Sequence, residues 1–241
     1  MKLRLRYAKR GKVRFVSHRD GARLWERALR RVGFPVATTN GFTPRPKLGF
    51  GLALPTGAES VAEYIDIDLI AGSSLDVVDP AVATSVAEAL SDALPVGMEV
   101  LVVAERESAT GSLQDDVTST TWELTGPGLS PELLEPAIQR VLAADELLVE
   151  RERKGQRRTD DVRPLIRDLH LDAPTGALVA ELVTVGRALR PSELAGALVP
   201  DVDPLDVRVL RTHQWIEHDG RRREVLPLPG TVDALDRGRS A

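Results

Sequence analysis

The 241-residue chain contains no cysteine, and aromatic residues make up only 4% of it. The first absence excludes disulfides, thiol nucleophiles, cysteine-ligated zinc and iron–sulfur clusters, and it fits a reducing cytoplasm. The second leaves Val, Leu, Ile and Ala to build the core. No apolar run approaches the ~20 residues that span a bilayer. The opening MKLRLRYAKRGK also lacks the apolar stretch of a signal peptide. There is no P-loop, GxGxxG or GxSxG, hence no mark of a nucleotide-driven or serine-nucleophile enzyme. His170, His213 and His218 show no metal-ligand spacing. The expectation is a soluble cytoplasmic protein with no membrane contact, no cofactor and no metal.

What the chain does carry is charge, and it is unevenly placed. Residues 1–50 hold 14 Lys and Arg against 2 Asp and Glu, whereas residues 51–149 hold 2 against 18. The remaining residues balance, and the net charge of −4 conceals the split. Such asymmetry points to a polyanion partner, or else to basic and acidic segments that neutralise each other in the fold.

The apolar periodicity outlines two similar halves. KLRLRYA alternates as a strand with Leu3, Leu5 and Tyr7 inward and Lys2, Arg4 and Arg6 outward. VRFV at 13–16 resumes the strand pattern after a turn. A helix follows with Ala22, Trp25, Ala28, Leu29 and Val32 on one stripe, ended by Gly33 and Pro35. Residues 36–40 and 47–54 are strand-like around a loop. YIDIDLI at 64–70 alternates with its acids outward, 80–94 is a helix and 98–105 a strand. This is the β-α-β-β-α-β order of a ferredoxin-like domain. Residues 108–117 read as a linker, after which the order repeats: strand 120–125, helix 131–144, strand 146–153, strand 177–185, helix 191–198, strand 205–213. The predicted fold is α+β, a tandem of ferredoxin-like domains with antiparallel sheets at 1–107 and 118–213. Residues 219–241 read as a disordered tail.

Three stretches carry chemistry. In SHRD, Ser17 and Asp20 fit a helix cap, the serine hydroxyl accepting a first-turn N–H. His18 and Arg19 are left over. A first-turn histidine beside arginines is expected to be neutral, suited to act as a general base or to hydrogen-bond a phosphate, unless it is simply packed. In TTNGFTPRPKLGFG, Pro44 and Pro46 stiffen the backbone around Arg45, and Arg45 and Lys47 project to one side beside Phe42. That arrangement suits phosphate contact with base stacking, or a proline-braced hairpin with solvated charges. In RERKGQRRTDDVRPLI, the arginines Arg151, Arg153, Arg157, Arg158 and Arg163 with Lys154 form a second basic patch around Gly155. Asp160 and Asp161 there read as a cap or salt-bridge partners rather than a Mg²⁺ site.

The run from RYAKRGKVRFVSHRD through GFTPRPKLGFG to EYIDIDL, with KGQRRTDDVRPLI, resembles the uncharacterised radical-SAM-linked protein family, a domain of unknown function, over most of residues 1–212. That family often has SHLD where this chain has SHRD, so Arg19 departs from the commoner pattern. The resemblance implies a radical SAM enzyme, or a ribonuclease of the E/G type, as a partner. Without cysteine the chain would serve such an enzyme as accessory only. The predicted fold is also similar in outline to CRISPR repeat-processing endoribonucleases, a likeness that does not fix function.

The expectation carried forward is an RNA-binding accessory protein for tRNA or rRNA processing or modification, without catalysis of its own. Its RNA contacts would be Arg4, Arg6, Arg14, His18, Arg19, Arg23, Phe42, Arg45, Lys47, Arg157, Arg158 and Arg163. One alternative is a protein adaptor for a separate radical SAM enzyme. The other is a metal-independent endoribonuclease with His18 as general base.

Overall fold

The computed structural model describes residues 1–229 apart from 74, 107–110, 154–155, 187 and 219, with the backbone alone of 151–153, 156 and 218. Lys154, Gly155, the side chains of Arg151 and Arg153, and residues 230–241 of the expected tail therefore lie outside it. The fold is mixed α/β, with antiparallel pairing dominant in its sheets and five helices. The chain forms two compact units, Met1–Val117 with Trp215–Ala241, and Thr118–Gln214.

The first unit runs β1 (Lys2–Lys9), a 3-10 helix (Gly11–Phe15), α1 (His18–Arg31), β2 (Leu48–Phe50), β3 (Glu59–Asp68), α2 (Pro80–Ala93), β4 (Met98–Glu105) and α3 (Leu113–Asp116). Its strands lie in the order β4-β1-β3, with β2 paired to β3, and every one of these pairings is antiparallel. Leu3, Leu5, Tyr7, Ile65 and Ile67 on one sheet face pack with Trp25 and Leu29 of α1 and Leu90 of α2.

The other face of these strands is covered too, which corrects the reading of β1 and β3 as strands with a charged side in water. Ala62 and Tyr64 pack with Leu113, Val117, Ile216 and Val225. Seven of the eight β1 residues are buried as a result. Of the expected linker 108–117, residues 108–110 lie outside the described residues, and Leu113 and Val117 are core. The expected tail also contributes structure, since β11 (Arg221–Glu224) pairs with the end of β10 (Arg208–His218). Two other expectations change. VRFV forms most of the 3-10 helix, and 36–40 makes only single bridges, Val36 to Leu69 and Thr38 to Pro46.

The second unit follows with β5 (Val117–Thr125), α4 (Pro131–Ala143), the hairpin of β6 (Leu148–Arg153) and β7 (Gln156–Asp161), β8 (Ile166–Leu171), β9 (Leu178–Val183), α5 (Pro191–Leu198) and β10. Its sheet order is β10-β5-β9-β8. Among the described residues, no helix is long and apolar enough to cross a membrane.

Candidate nucleic-acid interface

The basic helix forms because its sequence supplies both ends and one apolar stripe. Ser17 Oγ accepts the Asp20 N–H at 3.2 Å and donates to Asp20 Oδ2 at 2.8 Å. At the far end Gly33 takes a positive φ of 64°, and the Phe34 N–H reaches back to the Leu29 carbonyl at 2.9 Å. Trp25, Ala28 and Leu29 anchor the helix in the core, with the Trp25 ring edge-on to Tyr7 at 5.0 Å. The remaining face presents Arg19, Arg23, Arg27, Arg30 and Arg31, all exposed. Asp20 meets Arg23 at 3.1 Å across one helical turn.

The loop 38–47 is closed by its own backbone. The Thr39 N–H donates to the Arg45 carbonyl at 2.8 Å, and the Arg45 N–H donates to Thr39 Oγ1 at 3.1 Å. Phe42, Arg45 and Lys47 are exposed, Phe42 completely. The loop runs into β2, whose Phe50 ring meets His18 edge-on at 5.5 Å. His18, exposed in the first turn of α1, thus joins the helix to the end of the cationic loop. A small recess beside it is lined by Tyr7, Lys9, Phe50, Leu54, Glu63 and Met98.

The other predicted contacts divide differently. Arg4 and Arg6 are not surface groups. Arg4 makes a two-pronged pair with Asp66 at 2.7 and 2.9 Å. Arg6 donates to Glu224 Oε1 at 2.6 Å and to the Val61 and Leu226 carbonyls. Arg14 is half-buried, 3.5 Å from Glu59 and over the Phe15 ring at 4.6 Å. In the second unit Arg157 and Arg158 are exposed on the β6–β7 hairpin, Arg157 being 3.6 Å from Glu150. Arg163 instead ties backbone together, donating to the carbonyls of Leu142 and Ile166 at 3.3 and 3.2 Å. Asp161 is a cap: its Oδ1 accepts from the N–H groups of Leu147 and Arg163. Those two bonds hold its carboxyl below the ordinary aspartate value. Among the described residues, no group of three or more His, Asp or Glu side chains is placed to hold a metal.

The contacts expected from the sequence left out Arg27, Arg30 and Arg31 of the helix face, and also Phe50 and Arg106. For Arg106 a signal was available, because it is the one basic residue between positions 51 and 139.

The Asp20 carboxyl titrates below the usual aspartate value, mainly through the hydrogen bond from Ser17 and then through Arg23 and Arg19. A folded value below the unfolded one means that this contribution is complete above about pH 4 and fades as the pH falls through the folded value. Ser17→Ala is therefore expected to move the Asp20 titration upward in a carboxylate NMR experiment. It should also cost about 1 kcal/mol at neutral pH as a lost N-cap. An unmoved Asp20 titration would contradict the capping assignment.

A family model described as an uncharacterized protein conserved in bacteria (DUF2344) matches residues 2–191. No curated protein matches the chain.

Proposed function

The chain belongs to this uncharacterized bacterial family, and we propose that it is a cytoplasmic RNA-binding accessory protein that works through the exposed arginine face of α1 and the loop 38–47. The observation that carries the reading is the composition of that surface. Arg19, Arg23, Arg27, Arg30 and Arg31 line one side of a helix, and a closed loop adds Arg45, Lys47 and a fully exposed phenylalanine. Among the described residues Arg30, Arg45 and Lys47 have no ion-pair partner. Cations supply affinity for a phosphate backbone, and exposed aromatic rings stack unpaired bases. Burial of Arg4 and Arg6 narrows the surface without removing it.

The strand orders β4-β1-β3-β2 and β10-β5-β9-β8 support the ferredoxin-like reading of both units. A ferredoxin-like fold is compatible with RNA binding but does not imply it.

The test is binding to total cellular RNA across a salt series, wild type beside the triple variant Arg19→Ala/Arg30→Ala/Arg45→Ala. With three phosphate contacts gone, the slope of log affinity against log salt should flatten by about 2. No binding at about 0.1 M salt, or equal slopes, would overturn the reading. Metal-independent cleavage that disappears in His18→Ala would replace it with the endoribonuclease alternative.

The adaptor alternative has one observation of its own. A groove between α2 and β4 is lined by Ala83, Ala87, Val100 and Val102 and flanked by Glu88, Asp92 and Glu99. A stable complex with a radical SAM enzyme, lost on reversing those acids, would favour it.

A further inference from the structure

Asparagine occurs once in the 241 residues, at Asn40, and the residue after it is glycine. The pair belongs to the cationic loop 38–47 of the first unit. Residues 38–45 are all exposed, and the bonds that close the loop, between Thr39 and Arg45, flank the pair without engaging it. Among the described residues, neither the Asn40 side-chain amide nor the Gly41 N–H has a hydrogen-bond partner. Gly41 has a φ of 135°, and a Cβ built on it would meet nothing within 4 Å. No side chain of its own crowds its nitrogen, and the space beside its Cα is open. A carboxamide carbon and the next residue's amide nitrogen are thus tethered together, with neither held elsewhere. Asp20 and Gly21 make the contrast. There the carboxylate is taken by Ser17 and Arg23, and the Gly21 N–H donates to the Ser17 carbonyl at 2.8 Å.

We propose that Asn40 is a site of covalent self-modification, deamidation through a cyclic imide. Hydroxide removes the Gly41 amide proton, and the nitrogen attacks Asn40 Cγ to close a five-membered ring. The Cγ–Nδ2 bond breaks, and ammonia leaves after taking a proton from water. Water then opens the imide at either carbonyl. Opening at Cγ leaves an aspartate at position 40, and opening at the backbone carbonyl leaves an isoaspartyl linkage, in which the chain runs through the side chain. The attack is intramolecular, so no translational freedom is lost in reaching it. Either product adds a carboxylate and lowers the loop's charge from the +2 of Arg45 and Lys47 to +1. The isoaspartyl product also inserts a methylene into the backbone of a loop closed by two hydrogen bonds. On the RNA-binding reading the loop therefore loses affinity as the protein ages; the modification itself does not depend on that reading.

Mass spectrometry of protein held in mildly alkaline buffer tests it, on the intact chain and on the tryptic peptide 32–47. The wild type is expected to gain the mass difference between NH₂ and OH in that peptide, faster as hydroxide rises. The rate in the native protein should lie within about tenfold of the rate in the urea-unfolded chain, because the fold engages neither reacting group. Asn40→Gln, at an exposed position, should keep its mass over the same period, since a longer side chain must close a larger ring. Absence of the gain in the wild type, an equal gain in Asn40→Gln, or a native rate more than about tenfold slower than the unfolded one would overturn the proposal. RNA binding of fresh and deamidated protein across a salt series then separates the two readings. A slope flatter by about 1 after deamidation ties the site to the RNA surface, and equal slopes overturn that tie. No RNA binding by either sample removes the RNA reading and leaves the modification standing.

Discussion

Glu224→Ala is expected to destabilise the first unit by about 3–5 kcal/mol, the cost of breaking a buried ion pair from one side. The side chain lost sits on β11, and the one left behind is Arg6 on β1, only 1% exposed. Its guanidinium would keep the Val61 and Leu226 carbonyls but lose the charge opposite it. Urea unfolding followed by tryptophan fluorescence reads the effect as a lowered midpoint. The double variant Arg6→Met/Glu224→Leu is expected to recover part of the loss, because it removes both charges of the pair while also taking Glu224 from the buried Tyr64 hydroxyl. A loss under about 1 kcal/mol in the single variant, a value typical of a solvated pair, would show that the pair is open to water.

Trp25→Ala is the second large effect, at about 3–5 kcal/mol for truncating a large aromatic side chain in the core. Trp25 is fully buried, edge-on to Tyr7, and is the largest side chain seating α1. Its indole N–H has no hydrogen-bond partner among the described residues. Trp25→Phe removes that unsatisfied donor together with part of the ring, and a cost of about 1–2 kcal/mol is expected because the two changes oppose each other. If phenylalanine cost as much as alanine, the indole N–H would have to be satisfied in solution. Loosening α1 also loosens the arginine face, so on the RNA-binding proposal Trp25→Ala should weaken binding without removing a single cation.

Local rules made the helices legible. Ser17 and Asp20 start α1 and Gly33 ends it, while Pro80 and Pro191 occupy the first turns of α2 and α5. These signals lie within a few residues of what they control. The surface was harder to read, because β1 alternates like a strand with one wet face. What covers that face comes from Asp66, 62 residues away from Arg4, and from Glu224, 218 residues away from Arg6. Alternation reports that two faces differ, and says nothing about whether the polar one meets water or a buried partner. Exposed Arg45 and Lys47 were readable for the opposite reason: the prolines and hydrogen bonds that shape their loop are local.

The discontinuity of the first unit also sets an order of events on the ribosome. Residues 118–214 are synthesised as a whole before Ile216, Glu224 and Val225 have been made. At about 5–20 residues per second, the interval from residue 117 to residue 224 lasts about 5–20 seconds. Throughout it, the N-terminal strands wait with the Arg6 guanidinium unmatched and one sheet face incompletely roofed. A nascent chain stalled in that window would be a better substrate for chaperones and proteases than one stalled earlier, before the strands exist, or later, after they close.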